Sequence, residues 1–374
     1  MIADHLLRAA IRNMEPYTPI VPFEVLSARL GRPVGDIVKL DANENPYGPP
    51  PGALAAIADE HFYHIYPDPE ANALREAIGR YTGMEPASLL AGMGADELID
   101  LILRAVVEPG DAVFDCPPSF GMYPFSAAVN AAAYVPVPRR ANFELDVVAI
   151  EEAVSRTPNA KVLFLCSPNN PDGSLVDDAT LRRLLDLPVL VVLDEAYIDF
   201  AESEGFPSRL KWVEAHDNLA VLRTFSKMAG LAGLRVGYGA FPEWLLPHLW
   251  KIKQPYNVNV AAARAAVAAL DDVAWLREKV ALLVAERERV ARELSAFGFL
   301  QPYPSHSNFV LFRVEGRSAA ALKLDLEKEG VLVRYFNKLG LKNCIRVSAG
   351  RPEDTDRLID ALRRISTINP EENL

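Results

Sequence analysis

A lysine directly after an apolar segment is the first group in this sequence that could do chemistry. Lys227 ends the tetrapeptide Thr-Phe-Ser-Lys that begins at Thr224. At the carboxyl end of a buried strand a lysine loses solvation, which favours its neutral, nucleophilic amine. Thr224, Ser226 and Arg235 would offer two hydroxyls and a guanidinium to one phosphate group. The segment therefore indicates a cofactor-binding lysine beside a phosphate site, although a surface lysine in a glycine-rich loop would look similar.

An acidic residue ends a second apolar run. Asp194 follows the five residues Val-Leu-Val-Val-Leu and precedes Glu-Ala-Tyr197. A carboxylate at the end of a buried strand needs water, a metal or a cationic group, because burying it unpaired is costly. It could accept a hydrogen bond from the protonated ring nitrogen of a cofactor. A nucleotide hydrolase would carry a similar aspartate, but the phosphate-binding loop G-x-x-x-x-G-K-[ST] that it requires is missing from the sequence.

Two further motifs could supply polar groups. The segment Gly92–Glu97 opens a predicted helix, where small residues let backbone N–H groups approach a phosphate, but the segment alone favours a simple capped helix start. It makes a poor dinucleotide motif, because it lacks a third glycine and no convincing strand precedes it. Asn170 lies in the turn Cys166–Gly173, where its amide could hydrogen-bond a ring hydroxyl group; a plain β-turn is the alternative.

Two arginines lie on neighbouring predicted strands, Val331–Phe336 and Cys344–Ala349. If these strands form a hairpin centred on Gly340, Arg334 and Arg346 are directly opposite each other, with Cβ atoms roughly 5 Å apart. Like charges at that spacing are unfavourable unless anions bridge them. A substrate with a carboxylate and a phosphate, or two anionic ligands bound in turn, would suit the pair. Two separate surface salt bridges are the alternative.

These groups must be positioned by alternating strands and helices. Strands are predicted at Asp111–Cys116, Ala133–Pro136, Lys161–Cys166, Pro188–Asp194, Leu219–Thr224 and Arg235–Ala240, with helical patterns such as Leu145–Val154 and Asp177–Leu187 between them. The alternation predicts an α/β domain with a mostly parallel sheet and a ligand site at the carboxyl ends of its strands. After a long charged helix at Asp272–Phe297, a mixture of strands and helices predicts a smaller α+β domain.

The predicted domains follow from this change of pattern. Residues 46–270 form the large domain and residues 271–374 the small one, while residues 1–45 form a segment that packs on the small domain or on a partner subunit. The net charge of −11 over 374 residues argues against a nucleic-acid partner. Neither a signal peptide nor an apolar run that could span a membrane is visible, so a cytoplasmic location is expected.

No residue pattern indicates a metal or a disulfide framework. Cys116, Cys166 and Cys344 are widely spaced and odd in number, which predicts buried core residues in a reducing compartment. The six histidines show no spacing typical of metal ligands.

Together the motifs resemble the fold type I, aspartate-aminotransferase-like enzymes that depend on pyridoxal 5′-phosphate (PLP), and among them most closely the histidinol-phosphate aminotransferases. They occur in the order of that family and span nearly the whole chain. One departure is Asp172, where the family usually has threonine. The matching stretches are Asp41–Gly48, Tyr66–Asp68, Gly94–Glu97, Cys116–Tyr123, Cys166–Gly173, Asp194–Tyr197, Thr224–Lys227 with Arg235, Val333–Phe336 and Cys344–Ser348.

The resemblance implies a role for individual residues. Lys227 would bind the cofactor as a Schiff base and then move a proton between cofactor and substrate carbons. The cofactor ring would be held by Asp194 at its nitrogen, by Tyr197 and Asn170 at its hydroxyl oxygen, and by Tyr123 stacked on its face. The cofactor phosphate would be bound by the backbone of Ala95 and Asp96, by Thr224, Ser226 and Arg235, and by Tyr66 of the other subunit of a homodimer. The substrate would be bound by Arg346 at a carboxylate, by Arg334 with Tyr17 at a phosphate, and by Asn45.

The activity that the resemblance implies is transamination in histidine biosynthesis. L-Histidinol phosphate and 2-oxoglutarate would give imidazole acetol phosphate and L-glutamate. An aromatic aminotransferase would use Arg346 in the same way, and a threonine-phosphate decarboxylase would also bind a phosphorylated amino acid. A transcription regulator fused to a PLP domain would need a DNA-binding segment, and the first 45 residues leave no room for one.

Overall fold

The computed structural model describes residues 6–12, 14, 16 and 21–368, which form two sheets with helices around them. No helix in these ranges is long and apolar enough to cross a membrane. The strands are β1 (Val38–Leu40), β2 (Leu89–Gly92), β3 (Ala112–Asp115), β4 (Ala133–Pro136), β5 (Ala160–Cys166), β6 (Leu190–Asp194), β7 (Leu219–Thr224), β8 (Gly237–Ala240), β9 (Leu300–Pro302), β10 (Phe309–Val314), β11 (Val331–Tyr335) and β12 (Cys344–Ser348). The helices are α1 (Ala9–Arg12), α2 (Phe23–Leu30), α3 (Pro51–Ala58), α4 (Asn72–Thr82), α5 (Gly94–Val106), α6 (Met122–Val129), α7 (Val147–Arg156), α8 (Asp178–Leu185), α9 (Ile198–Glu202), α10 (Leu246–Ile252), α11 (Val260–Asp271), α12 (Val273–Ser295), α13 (Ala319–Lys328) and α14 (Pro352–Ile368).

The large sheet has seven strands in the order β2-β8-β7-β6-β5-β3-β4. The strands from β4 to β7 in this order pair in parallel, whereas β8 pairs antiparallel with both β7 and β2. Every residue of β6 is buried, and apolar clusters cover both faces of the sheet. Strands buried on both faces read as continuous apolar runs, which is why alternation is weak in the sequence. The predicted α/β class is confirmed.

The six strands predicted for this sheet are all present, and their ends differ from the prediction by two residues at most. The seventh, β2, was not predicted. It has only four residues, all buried, between a short turn of 3₁₀ helix and α5. Its presence corrects the earlier interpretation of the motif Gly92–Glu97, because a strand does lead directly into it. A four-residue run of Leu-Leu-Ala-Gly is too short to show a period.

The small sheet has five strands in the order β1-β11-β12-β10-β9. β1 pairs in parallel with β11, and the other strands pair antiparallel. Its core includes residues of α12, α13 and α14. Asp272 caps the long helix α12 by accepting a hydrogen bond from the Trp275 N–H at 3.1 Å. The division of the chain into domains at residues 45 and 270 stays a prediction, although β1 shows that part of the N-terminal segment joins the small sheet.

Two detailed predictions are confirmed by the fold. Arg334 and Arg346 are register partners on β11 and β12. The three cysteines are buried, as expected for small core residues.

Candidate active site

The carboxyl ends of the parallel strands bring Lys227 close to the other predicted groups. Its Nζ lies 3.4 Å from the carbonyl oxygen of Ala42 and 5.5 Å from the ring centroid of Tyr197. Burial, and after it the positive charge of Arg346, lower the pKa of the Lys227 amine to about 8. An amine with this pKa is neutral far more often at physiological pH than an ordinary lysine, as a nucleophile or a general base requires.

Asp194 lies at the end of β6 and is 2% exposed. Its carboxylate accepts hydrogen bonds from the Tyr123 hydroxyl at 2.8 Å and from the Ala196 N–H at 3.0 Å. Burial raises the pKa of Asp194 to about 6, while these hydrogen bonds oppose the shift. No Lys, Arg or His nitrogen lies within 4.0 Å of it in the described part of the chain. A buried carboxylate without a cation fits the protonated ring nitrogen of a cofactor.

The structure gives Tyr123 a different place from the predicted one. Its side chain is fully buried, its ring stacks on Phe164 with centroids 4.8 Å apart, and its hydroxyl contacts Asp194. A ring with no exposed surface has no free face for a cofactor, so the predicted stacking role lacks support. Phe120 is half-buried and touches the edge of the Tyr123 ring. Sequence spacing does not reveal which faces of an aromatic ring are covered by other side chains.

Tyr197 lies beside Lys227, and Asn170 is hydrogen-bonded to Arg346. The Tyr197 hydroxyl accepts a hydrogen bond from Nδ2 of Asn43 at 3.1 Å. The Asn170 side-chain oxygen accepts a hydrogen bond from Nη1 of Arg346 at 2.5 Å. The tyrosine O–H and the Asn170 amide N–H are therefore both available to an acceptor such as a ring oxygen.

The start of α5 forms a cradle of donors with the loop after β7. Gly94 has φ +77°, and a Cβ there would lie 2.7 Å from Nη2 of Arg235. A Cβ on Gly237 would lie 2.8 Å from the backbone nitrogen of Ala95. Because both positions are glycine, the Arg235 guanidinium can lie close to the start of α5, and Gly237 can lie close to the backbone of Ala95. A residue with a Cβ would block these two contacts. Nη2 of Arg235 also pairs with the Asp96 carboxylate at 2.8 Å.

The cradle is completed by two hydroxyls, those of Thr224 and Ser226, which lie 3.0 Å apart. Hydroxyls, a guanidinium and the first N–H groups of a 13-residue helix form a donor set that suits a phosphate. The residues present therefore fit the phosphate of the predicted cofactor.

Arg334 and Arg346 face the same cleft in different environments. Arg346 is 5% exposed and donates to the carbonyl oxygen of Asp41 at 2.7 Å as well as to Asn170. Arg334 is half-buried, and its guanidinium lies 5.7 Å from the ring centroid of Phe336. Within the described residues Arg334 makes no hydrogen bond or ion pair. For Arg334, the surface salt bridge considered as the alternative is therefore not present among those residues. Tyr17, its predicted companion, lies outside the described residues.

Two predicted site residues, Asn45 and Tyr66, make contacts that the sequence does not predict. The Asn45 amide donates to the carbonyl oxygen of Met228 at 2.8 Å, and its side-chain oxygen accepts the Tyr47 N–H at 3.0 Å. Asn45 therefore supports the loop after Lys227, and the predicted substrate contact lacks support. Tyr66 is 79% exposed and stacks on Tyr256 with centroids 4.6 Å apart. Its exposure leaves it accessible to a second subunit, which is where the prediction assigns it.

Asp172, the departure from the family pattern, lies within the turn. It is 1% exposed, accepts the Ser174 N–H at 2.9 Å and contacts the Asn169 amide. An aspartate can close such a turn with its own carboxylate. The substitution therefore leaves Asn170 in place. No cluster of three or more His, Cys, Asp or Glu side chains that could hold a metal occurs among the described residues.

A lysine, an aspartate and a phosphate cradle at the carboxyl edge of a mostly parallel sheet are the parts of a PLP-dependent transferase. The chain belongs to the aminotransferase class I and II family, whose family model matches residues 35–362. The predicted family and fold are thereby confirmed.

The similar proteins define the group more narrowly. The chain is 55% identical to the chloroplastic histidinol-phosphate aminotransferase of Nicotiana plumbaginifolia over 96% of this chain and 86% of that protein. It is 53% identical to the histidinol-phosphate aminotransferase of Roseiflexus castenholzii over 96% of this chain and 98% of that protein. The crystal structure of the Sinorhizobium meliloti histidinol-phosphate aminotransferase in complex with pyridoxal-5′-phosphate matches with a TM-score of 0.87 and 31% identity, over 97% of this chain and 98% of that one.

Proposed function

We propose that this chain uses PLP to transfer an amino group between L-histidinol phosphate and 2-oxoglutarate, giving imidazole acetol phosphate and L-glutamate in histidine biosynthesis. Relatives at 53% and 55% identity are histidinol-phosphate aminotransferases, and the similar S. meliloti structure contains PLP. The observation that carries the proposal is the pair Arg334 and Arg346, which are opposite each other on neighbouring strands, with Arg346 close enough for its charge to lower the pKa of Lys227. When bound, PLP supplies an electron sink for the substrate carbon next to nitrogen.

The residues that would hold PLP surround it on each side. Lys227 would attach it covalently, and Asp194 would accept a hydrogen bond from the ring nitrogen. Tyr197 and Asn170 would donate to the ring oxygen, and the half-buried Phe120, in place of Tyr123, would pack on the ring. The phosphate would be bound by the backbone of Ala95 and Asp96, by Thr224 and Ser226, and by Arg235.

Lys227 would also carry the proton that the reaction moves. The Lys227 amine, with a pKa of about 8, would be neutral above that pH and partly neutral below it. A neutral amine takes a proton from one carbon and returns it to another. Arg346 assists because its charge lowers the pKa of Lys227.

The two arginines would divide the substrate groups between them. Arg346 would bind the carboxylate of glutamate or 2-oxoglutarate through its fork of N–H groups. Arg334, with Tyr17, would bind the phosphate of histidinol phosphate. Histidinol phosphate has no carboxylate. In the half-reaction with histidinol phosphate, Arg346 would therefore either bind no substrate group or bind the phosphate together with Arg334.

A homodimer and a cytoplasmic location belong to the same proposal. Phe62, Tyr63, Ile65 and Tyr66 form a row of apolar side chains that are 52–79% exposed. Such a row favours burial against a second subunit, which would bring Tyr66 to the partner's phosphate cradle. Analytical ultracentrifugation of the wild type and of Tyr66→Asp would test this, and a monomeric wild type would contradict it.

A steady-state comparison tests the substrate. With 2-oxoglutarate as acceptor, kcat/KM should be highest for histidinol phosphate and lower for phenylalanine and tyrosine. Equal kcat/KM for phenylalanine and histidinol phosphate would favour an aromatic aminotransferase. Release of carbon dioxide from threonine phosphate would favour the decarboxylase.

A further inference from the structure

A buried asparagine, Asn43, connects the small sheet to the candidate cofactor site. It is 1% exposed and has φ +55°, which Asn tolerates better than most residues. Its N–H donates to the Ser348 hydroxyl at 2.9 Å, and its carbonyl oxygen accepts from Nδ2 of Asn308 at 3.0 Å. Both partners belong to the region of the small sheet, so the backbone of Asn43 is fixed from that side.

The Asn43 side chain has one favourable orientation. The Ser348 hydroxyl already accepts the Asn43 N–H, and its own proton is donated to Oδ1 of Asn43 at 2.9 Å. With the amide rotated by 180°, the buried Ser348 proton would lose its only acceptor among the described residues, which is costly. Nδ2 of Asn43 therefore faces the Tyr197 hydroxyl, 3.1 Å away.

This contact decides the role of the Tyr197 hydroxyl. Because the amide N–H is the donor, the tyrosine oxygen is the acceptor, and the tyrosine proton must point elsewhere. Burial raises the pKa of Tyr197, so the hydroxyl keeps that proton at physiological pH. Its ring is held by the edge of Phe309, with centroids 5.2 Å apart. Tyr197 is thus a fixed donor at the cleft.

We propose that Asn43 is a positioning residue that makes Tyr197 a hydrogen-bond donor to the ring oxygen of the bound cofactor. The orientation of the Asn43 side-chain amide is fixed by Ser348. This inference rests on the proposed function, because the acceptor belongs to PLP. A hydrogen bond donated to that oxygen stabilises its negative charge. The bound cofactor then loses the proton next to this oxygen more readily, so the pKa of that proton falls. Asn43 therefore lowers the pH at which the visible absorbance of the holoenzyme changes.

Asn43→Asp tests this with little change in shape. A carboxylate can only accept, so it draws the Tyr197 proton away from the cofactor. The absorbance midpoint should rise by about one pH unit, the effect of one hydrogen bond to a charged group. The dissociation constant of PLP should rise roughly three- to tenfold. Two further variants, Asn43→Gly and Ser348→Ala, should shift the absorbance midpoint and the dissociation constant of PLP in the same direction. Glycine at position 43 tolerates the positive φ. These variants replace Asn43→Asp in the test if Asn43→Asp does not fold.

A double-variant comparison separates positioning from a structural role. In a Tyr197→Phe background, Asn43→Asp should add no further shift of the midpoint, because Asn43 acts through the tyrosine hydroxyl. Ser295→Ala removes a hydroxyl bonded only to a carbonyl oxygen within α12 and should leave the midpoint unchanged. The proposal is overturned if Asn43→Asp lowers only the melting temperature, or shifts the midpoint equally with and without the Tyr197 hydroxyl. A wild type that does not bind PLP would instead refute the proposed function.

Discussion

Arg334 and Arg346 are direct cross-strand partners, yet within the described ranges only Arg346 is hydrogen-bonded to a residue of the candidate cofactor site. Arg346 is bonded to Asn170 and to the backbone of Asp41, whereas Arg334 has no hydrogen bond or ion pair within the described ranges. A guanidinium already fixed by two partners is preorganised for one ligand group. The two side chains should therefore respond differently to substitution.

Replacing Arg334 by alanine should impair the phosphorylated substrate selectively. We expect kcat/KM for histidinol phosphate to fall about ten- to hundredfold, the loss for a charge-assisted hydrogen bond. The value for phenylalanine should change little, because phenylalanine has no phosphate. Arg313→Ala is the matched control, since Arg313 is an exposed arginine of β10 whose ion pair within the described part of the chain is with Glu315. An equal loss for both substrates would make Arg334 structural.

Replacing Arg346 by methionine should change the titration of Lys227. The positive charge of Arg346 helps to lower the pKa of this lysine to about 8. Attachment of PLP to the apoenzyme needs the neutral amine, so its rate should rise with pH through that value. Without Arg346 the midpoint should move to higher pH. Arg334→Ala should leave it in place, because Arg334 is not among the main influences on Lys227. An unchanged midpoint in Arg346→Met would contradict this account.

Replacing Tyr123 by phenylalanine should weaken PLP binding mainly at low pH. Burial holds the pKa of Asp194 at about 6, and the Tyr123 hydroxyl opposes that shift. Its removal should raise the pKa further, so that Asp194 is protonated at a higher pH and can no longer pair with the ring nitrogen. The dissociation constant of PLP should rise several-fold at pH 6–7 and much less at pH 8–9.

Tyr134→Phe is the control for this variant. It removes a hydroxyl bonded to another buried strand-end carboxylate, that of Asp115. If both variants lose PLP affinity with the same pH dependence, Tyr123 has no specific effect on Asp194.

Much of the fold and part of the site could be predicted from local pattern. Continuous apolar runs located the strands, and the residues at their carboxyl ends, Asp194 and Lys227, were found together as expected. The pairing of Arg334 with Arg346 followed from a period of two residues and one glycine turn. These features depend on neighbours close in sequence.

Other features depend on contacts that sequence does not reveal. The partners of Asn43 lie up to 305 residues away, and its positive φ is a property of the folded chain. From the family resemblance, Asn45 is expected to contact the substrate and Tyr123 the cofactor. In the structure the Asn45 amide contacts Met228, and the Tyr123 hydroxyl contacts Asp194. In each case the direction of the side chain depends on packing against residues that are distant in sequence.

Covalent attachment of PLP to Lys227 can be observed by borohydride reduction of the holoenzyme followed by peptide mass spectrometry. We expect the cofactor to be fixed to Lys227 in the wild type. We also expect Lys227→Ala to fold, to release PLP on dialysis after the same treatment, and to have no transaminase activity. Lys251→Ala, which removes an exposed lysine, should behave as the wild type. A cofactor adduct on another lysine, or full turnover by Lys227→Ala, would contradict the account.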